Sequence, residues 1–241
     1  MLALITGSGF YDVPGLTERK VTEVATPYGP VSVSSGMLDG SHVAFIPRHG
    51  SDHSLPPHAI NYRANVWALR EFGADGIVAI NVVGSIDPAY PAGTFLLCDQ
   101  YIEFTSGRDV TFFDEPGNVQ HIDMTEPYDL ELRSRLSSAA ETIGLDLAPT
   151  ATYVCTNGPR FETPAEIKMY GILGGTVVGM TGYPEVALAR ELGVPYAAVA
   201  IVANLAAGLQ GTELSHEDVV GVIDECKAPM FALVAALVRG E

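Results

Sequence analysis

Apolar positions along the chain gather into short, nearly continuous runs separated by glycine and proline. Runs of this kind are Leu2–Thr6, Val43–Pro47, Gly76–Val83, Phe95–Phe104, Thr150–Cys155, Thr176–Met180 and Tyr196–Asn204. Continuous rather than alternating hydrophobicity predicts strands covered on both faces. Four intervening segments carry apolar residues at three-to-four spacing, which predicts helices. Ala59–Phe72 stops at Gly73, Tyr128–Ile143 at Gly144, and Glu185–Leu192 at Gly193 before Pro195. Ser215–Val238 opens with a Ser-x-x-Asp capping pattern, and Thr163-Pro164 has the form of a further cap and first turn. Strand and helix alternate throughout, so the expectation is one α/β domain over residues 1–241 with a mixed, largely buried β-sheet flanked by helices.

Composition narrows the functions this fold can carry. Hydrophobic residues make up 47% of the 241 positions, enough for a large core, and charged residues only 17%. Thirteen basic residues against twenty-nine acidic ones give a net charge of −16. No clustered basic stripe interrupts that acidity, which argues against nucleic-acid or anionic membrane partners. An anionic substrate must therefore be held by a local site working against the global field. Three dispersed cysteines, Cys98, Cys155 and Cys226, form no C-x-x-C pair, which argues for a reducing, cytoplasmic setting and against structural zinc.

Candidate chemistry sits where the predicted strands end. The first strand runs into Thr6-Gly7-Ser8-Gly9, where successive backbone N–H groups can cradle an anion. The turn lacks the third glycine of a dinucleotide fingerprint and the Gly-Lys-Ser/Thr of a P-loop. The second strand ends in Pro47-Arg48-His49-Gly50. Arg48 offers a planar fork of donors and His49 a further one, although a surface ion pair is the alternative for Arg48. The His49/His53 spacing admits a metal, but the missing glutamate and the following Pro56-Pro57 oppose a helical zinc motif. Further strand ends carry Asn81-Val82, Met180-Thr181 and Asn204-Leu205-Ala206. Together they predict one polar crevice at the carboxyl end of the sheet. Phe161 beside Glu162 can stack on a planar heterocycle and accept its N–H, or can simply be a core ring and a residue near a helix start.

Taken in order, the motifs Gly7-Ser8-Gly9, Arg48-His49-Gly50, Asn61-Tyr62-Arg63-Ala64-Asn65, Gly84-Ser85, Gly158-Pro159-Arg160-Phe161 and Met180-Thr181-Gly182-Tyr183-Pro184-Glu185, with the Asn204 segment, resemble the trimeric nucleoside phosphorylases. That family includes purine nucleoside and methylthioadenosine phosphorylases, and the resemblance covers nearly the whole chain. It implies phosphorolysis of a nucleoside by inorganic phosphate, with no metal or organic cofactor, in a homotrimer or a dimer of trimers. By resemblance Ser8, Arg48, His49, Asn81, Val82 and Thr181 hold phosphate, Met180 lies under the ribose, and Phe161 packs on the base. Asn204-Leu205-Ala206 stands where adenine-type relatives have Asp-x-Asp, and the combination of Glu162 with Asn204 suits a 6-oxopurine. His216 is similar to the histidine that meets a ribose 5′-hydroxyl. His121 resembles the segment by which methylthio-specific relatives reach a neighbour's 5′ pocket, so methylthioinosine is the alternative substrate. A nucleosidase, which uses water in place of phosphate, and a nucleotide-binding module are the competing classes.

Overall fold

The computed structural model describes residues 1–209 in full and the last helix from 216, with its side chains from 220. Eleven strands form one mixed sheet. Its central strands are β1 (Leu2–Thr6), β4 (Ser41–Pro47), β5 (Gly76–Ser85) and β11 (Tyr196–Leu205), whose interior residues are almost all buried. β1 lies parallel between β4 and β5, and β11 runs parallel along the other edge of β5. β2 (Thr17–Val24) and β3 (Val31–Leu38) form an antiparallel hairpin that extends the sheet beyond β4.

The run Phe95–Phe104 divides into two strands rather than one. β6 (Phe95–Leu97) pairs with β11 and with the short β8 (Leu147–Ala148), whereas β7 (Gln100–Phe104) pairs with β9 (Thr152–Thr156). The break at Cys98-Asp99 lets one apolar run serve two neighbours. β10 (Val177–Gly179) lies between β9 and the end of β5.

Helices cover both faces. α1 (Tyr62–Glu71) and α4 (Glu185–Glu191) bury Ala64, Val66, Leu69, Val186 and Leu188 in one core layer. α2 (Leu130–Ile143) and α5 (His216–Arg239) bury Leu132, Leu136, Met230, Leu233 and Leu237 in the other. The Asp129 side chain caps α2 by accepting from the Leu132 N–H, and Gly144 ends it with a left-handed φ of 69°. α3 (Pro164–Ile172) begins at a full capping box between Thr163 and Glu166. The Ser215 capping pattern lies outside the described residues. Among the described residues no helix is long and apolar enough to cross a membrane.

One feature of the topology positions the site. Along one edge of β5, β1 pairs only as far as Ala79, and β10 takes over only at Gly84. Between them the backbone of Ile80–Val83 has no strand neighbour on that side among the described residues. A sheet that changes neighbours in this way leaves a crevice at its carboxyl end.

Candidate active site

The crevice opens into a cavity of about 390 Å³ lined from seven chain segments. Gly7 and Ser8 enter after β1, Arg48 and His49 after β4, and Val82–Gly84 from β5. Phe161 and Glu162 come from the loop before α3, Met180 and Thr181 follow β10, and Asn204 and Ala206 close the far side. His53 to Pro57 form the rim. Strand ends far apart in sequence thus converge as expected. Two expected residues do not take the expected position, His121 lies elsewhere on the surface, and the His216 side chain falls outside the described residues.

Leu205 does not line the cavity. Successive residues at a strand end face opposite ways, so Asn204 and Ala206 point in while Leu205 contributes only its carbonyl, which accepts from Asn204 Nδ2 at 2.7 Å. Asn81 is not in a turn, because β5 continues to Ser85, and it is buried behind the cavity wall with neither amide atom partnered. His121 is exposed and away from this chain's own cavity. The His216 side chain lies outside the described residues.

Arg48 is where the sequence reading needs most correction. Its side chain is fully buried and its fork does not face an incoming anion; it clasps Glu185, with Nε 3.1 Å from Oε2 and Nη2 2.9 Å from Oε1. Nη2 also donates to the Ile5 carbonyl at 3.2 Å and Nη1 to the Ile80 carbonyl at 2.8 Å. Four of the five N–H groups are therefore committed, and one Nη1 hydrogen remains for the cavity. Tyr196, from β11, donates its hydroxyl to Glu185 Oε1 at 2.7 Å. Burial disfavours the charge on Arg48, but Glu185 more than compensates and holds the guanidinium protonated. The ion pair is buried rather than superficial, and its partner lies 137 positions away. Gly7 is required beside it, since a Cβ there would sit 2.9 Å from Nη1 and 3.0 Å from the Ile80 oxygen.

The same geometry orients a backbone donor. The Ile80 carbonyl points to Arg48, into the gap between β1 and β10, and strand alternation turns the Val82 N–H the same way. Ser8 and Thr181 add hydroxyls. The Thr181 N–H and the Gly182 N–H both donate to the buried Tyr153 hydroxyl, at 3.3 and 3.4 Å, which fixes that turn.

His49 also differs from the expected donor. Its Nδ1 lies 2.8 Å from the Leu55 carbonyl, which can only accept, so Nδ1 carries the proton. Burial, reinforced by Arg48 and His53, pulls its pKa down to about 4, so near neutral pH Nε2 is a bare lone pair. The His53 ring packs 4.8 Å from that of His49, and its Nδ1 meets the Tyr11 hydroxyl at 2.8 Å. Both Nδ1 atoms are thus committed to protein partners, and each ring turns only Nε2 to other contacts.

On the opposite wall Glu162 is buried, and its Oε1 accepts from Thr156 Oγ1 at 2.8 Å, leaving Oε2 free among the described residues. The Thr163 cap of α3 fixes the backbone directly after it. Phe161 is 45% exposed, so its ring is a cavity wall and not a core residue. Among the described residues Asn204 keeps one amide N–H and its carbonyl oxygen after the bond to Leu205. Met180 stands between the two walls; a Cβ on Gly158 would be 2.4 Å from its sulfur. The cavity accordingly pairs an anion-binding wall with a flat wall bearing a carboxylate and an amide.

Comparison with known proteins agrees with that geometry. Residues 1–239 match the model of the phosphorylase superfamily. The chain is 49% identical over 243 aligned residues to a 6-oxopurine nucleoside phosphorylase of Pyrococcus furiosus, covering 98% of this chain and 91% of that protein. It is 44% identical to a protein of Methanothermobacter thermautotrophicus named "Probable S-methyl-5'-thioinosine phosphorylase", covering 99% and 84%. In structure it is similar to a methylthioadenosine phosphorylase of Schistosoma mansoni solved with adenine, with a TM-score of 0.93, 30% identity and coverage of 99% and 90%.

Two outcomes follow from the buried groups. Glu185→Ala strands the Arg48 charge and should cost about 3–5 kcal/mol in denaturant unfolding, whereas Arg48→Met with Glu185→Leu should recover most of that loss. A single variant as stable as the parent would contradict the pairing. For His49, the folded pKa is depressed, so its contribution to stability is present above about 6.5 and is lost as pH falls toward 4. NMR of the ring nitrogens should show the neutral Nδ1–H tautomer still populated at pH 5.5; an imidazolium there would contradict the assignment.

Proposed function

The chain belongs to the phosphorylase superfamily, and we propose that it is a purine nucleoside phosphorylase that cleaves 6-oxopurine nucleosides with inorganic phosphate, releasing the free base and a pentose 1-phosphate. The observation that carries the reading is the opposition, across Met180 in one cavity, of Ser8, Arg48, His49 and Thr181 to Phe161, Glu162 and Asn204. The relatives named for 6-oxopurine nucleosides and for methylthioinosine support it, because both substrates present the same 6-oxo base.

Phosphate is taken up by the Val82 N–H, the free Arg48 Nη1 hydrogen, and the Ser8 and Thr181 hydroxyls. His49 Nε2 accepts the O–H of monohydrogen phosphate, which leaves the unprotonated oxygens to face the sugar. Cleavage of the glycosidic bond passes through an oxocarbenium-like pentose. The phosphate beneath it supplies both the nucleophile and compensating negative charge, so the step needs no metal, no organic cofactor and no covalent enzyme intermediate. Met180 packs against the sugar. The base stacks on Phe161 and donates its N1–H to Glu162. The remaining Asn204 N–H meets the N7 side, where negative charge develops as the base departs.

The same contacts set base preference. Adenine presents an acceptor at N1, so Glu162 would face it with acceptor against acceptor, and an unpaired buried polar group costs about 1–3 kcal/mol. Inosine and methylthioinosine differ only at the 5′ position, beside the rim formed by His53 to Pro57. We assign the hydroxyl form as the main substrate and the methylthio form as the second. A homotrimer is the proposed active unit, supported by the exposure of His121, which would reach a neighbour's 5′ side.

The test is the initial rate of base release from inosine, guanosine, methylthioinosine and adenosine, with and without phosphate. Release should require phosphate and favour the three 6-oxo substrates over adenosine by roughly tenfold or more. Glu162→Gln should narrow that ratio, because its amide can donate to adenine N1. Phosphate-independent release would indicate a nucleosidase, and an adenosine preference in the parent would overturn the roles of Glu162 and Asn204.

A further inference from the structure

Arg108 is a guanidinium beside the cavity, bound to the Met180 carbonyl, and it plays no part in the chemistry above. It follows β7 and the turn Thr105–Gly107, in a stretch without regular secondary structure. Asn157 ties that turn down: its Oδ1 accepts from the Ser106 N–H and its Nδ2 lies 3.3 Å from Ser106 Oγ. Among the described residues Arg108 has no carboxylate within ion-pair distance. Its partners are instead carbonyl oxygens. Nη2 donates to Met180 at 2.8 Å, Asn157 at 3.2 Å and Thr156 at 3.3 Å, and Nη1 donates to Tyr183. Nη1 also reaches the Tyr62 hydroxyl at 3.3 Å, and the guanidinium lies 5.3 Å from the centre of that ring.

These carbonyls belong to the place where two strands part. β9 and β10 pair through Cys155 and Gly179. One residue later the chains diverge, Thr156 and Asn157 toward the loop carrying Phe161 and Glu162, Met180 toward the middle of the cavity. Strand ends that separate leave carbonyls without ladder partners, and a planar fork can serve several of them at once. Tyr62 extends the contact, since its hydroxyl donates to the Pro57 carbonyl at 2.8 Å and Pro57 lines the rim.

We propose that Arg108 is a positioning residue: its guanidinium, wedged between the diverging ends of β9 and β10, sets the spacing between the base-contacting loop and Met180. The inference builds on the proposed phosphorolysis, in which those two segments hold the base and the sugar. The anion wall has its own supports: Arg48 and Glu185 hold the ends of β1 and β4 and the middle of β5, and the Tyr153 hydroxyl fixes the backbone N–H of Thr181. Loss of the wedge should therefore act on the nucleoside far more than on phosphate. Lysine cannot replace it, because a single ammonium cannot reach both Met180 and Tyr183 with the geometry of a planar fork.

The experiment compares the parent, Arg108→Ala and Arg108→Lys in phosphate-dependent base release, with thermal unfolding of each and with added guanidinium ion. The parent is measured first. If it releases no base with phosphate, the reading of the function falls; if it does and Arg108→Ala is indifferent, only the positioning role falls. Displacing reacting groups by about 1 Å can cost ~10²-fold, and a nucleoside kcat/KM loss of that order is expected in Arg108→Ala, with the phosphate KM nearly unchanged. Guanidinium should restore part of the activity of Arg108→Ala, and Arg108→Lys should remain impaired while folded. Parent-like turnover in either variant would overturn the proposal. So would an equal rise in both KM values, or a loss in folded Arg108→Ala that guanidinium does not relieve.

Discussion

The buried pair between Arg48 and Glu185 is the interaction on which the rest of this site depends. It joins the ends of β1 and β4 and the middle of β5 to the first turn of α4, and through Tyr196 to β11. Removing two charges from water is expensive, and the pair persists because nearly all of its own donors and acceptors are used. Its value lies less in net stability than in geometry. With four N–H groups committed, Arg48 presents a single hydrogen to the cavity in a fixed direction. The surrounding glycine and carbonyls leave that hydrogen no alternative course.

This arrangement resolves the difficulty posed by an acidic protein that must bind an anion. A net charge of −16 repels phosphate at long range, and the Arg48–Glu185 pair is neutral as a unit. In the proposed site, recognition would fall to short-range dipoles: the N–H at Val82, the hydroxyls of Ser8 and Thr181, and one Nη1 hydrogen. Such donors discriminate by placement and not by net charge. The acceptor at His49 fits the same logic, since it favours an anion that still carries a proton. On the other wall one carboxylate and one amide are proposed to meet the base, so the two halves of the site would use different chemistry on one sheet.

Much of this was legible in the chain because the determining signals are local. The bounds of Leu2–Thr6 follow directly from its apolar run, and Gly144 marks the end of α2 as its left-handed φ requires. The convergence of polar strand ends followed from the rule for parallel sheets. The β2–β3 hairpin escaped notice because β2 is mostly exposed and polar, without an apolar run. Phe95–Phe104 read as one strand because hydrophobicity does not record a change of partner. Glu185 gave no sign of its role, since its partner is distant in sequence and close only after the sheet forms. Arg108 lies in a segment with neither periodicity nor a motif. The tautomer of His49 depends on a carbonyl six residues on, which no residue pattern encodes.

The most direct test of this account is a crystal structure of the protein with phosphate and hypoxanthine bound together. The account predicts phosphate in the gap between β1 and β10, touching Arg48 through Nη1 alone while Nε and Nη2 stay on Glu185, with His49 Nε2 and the Val82 N–H on its oxygens. Hypoxanthine should lie on Phe161 with N1 directed at Glu162. A phosphate held by both terminal nitrogens of Arg48, with Glu185 displaced, would contradict it.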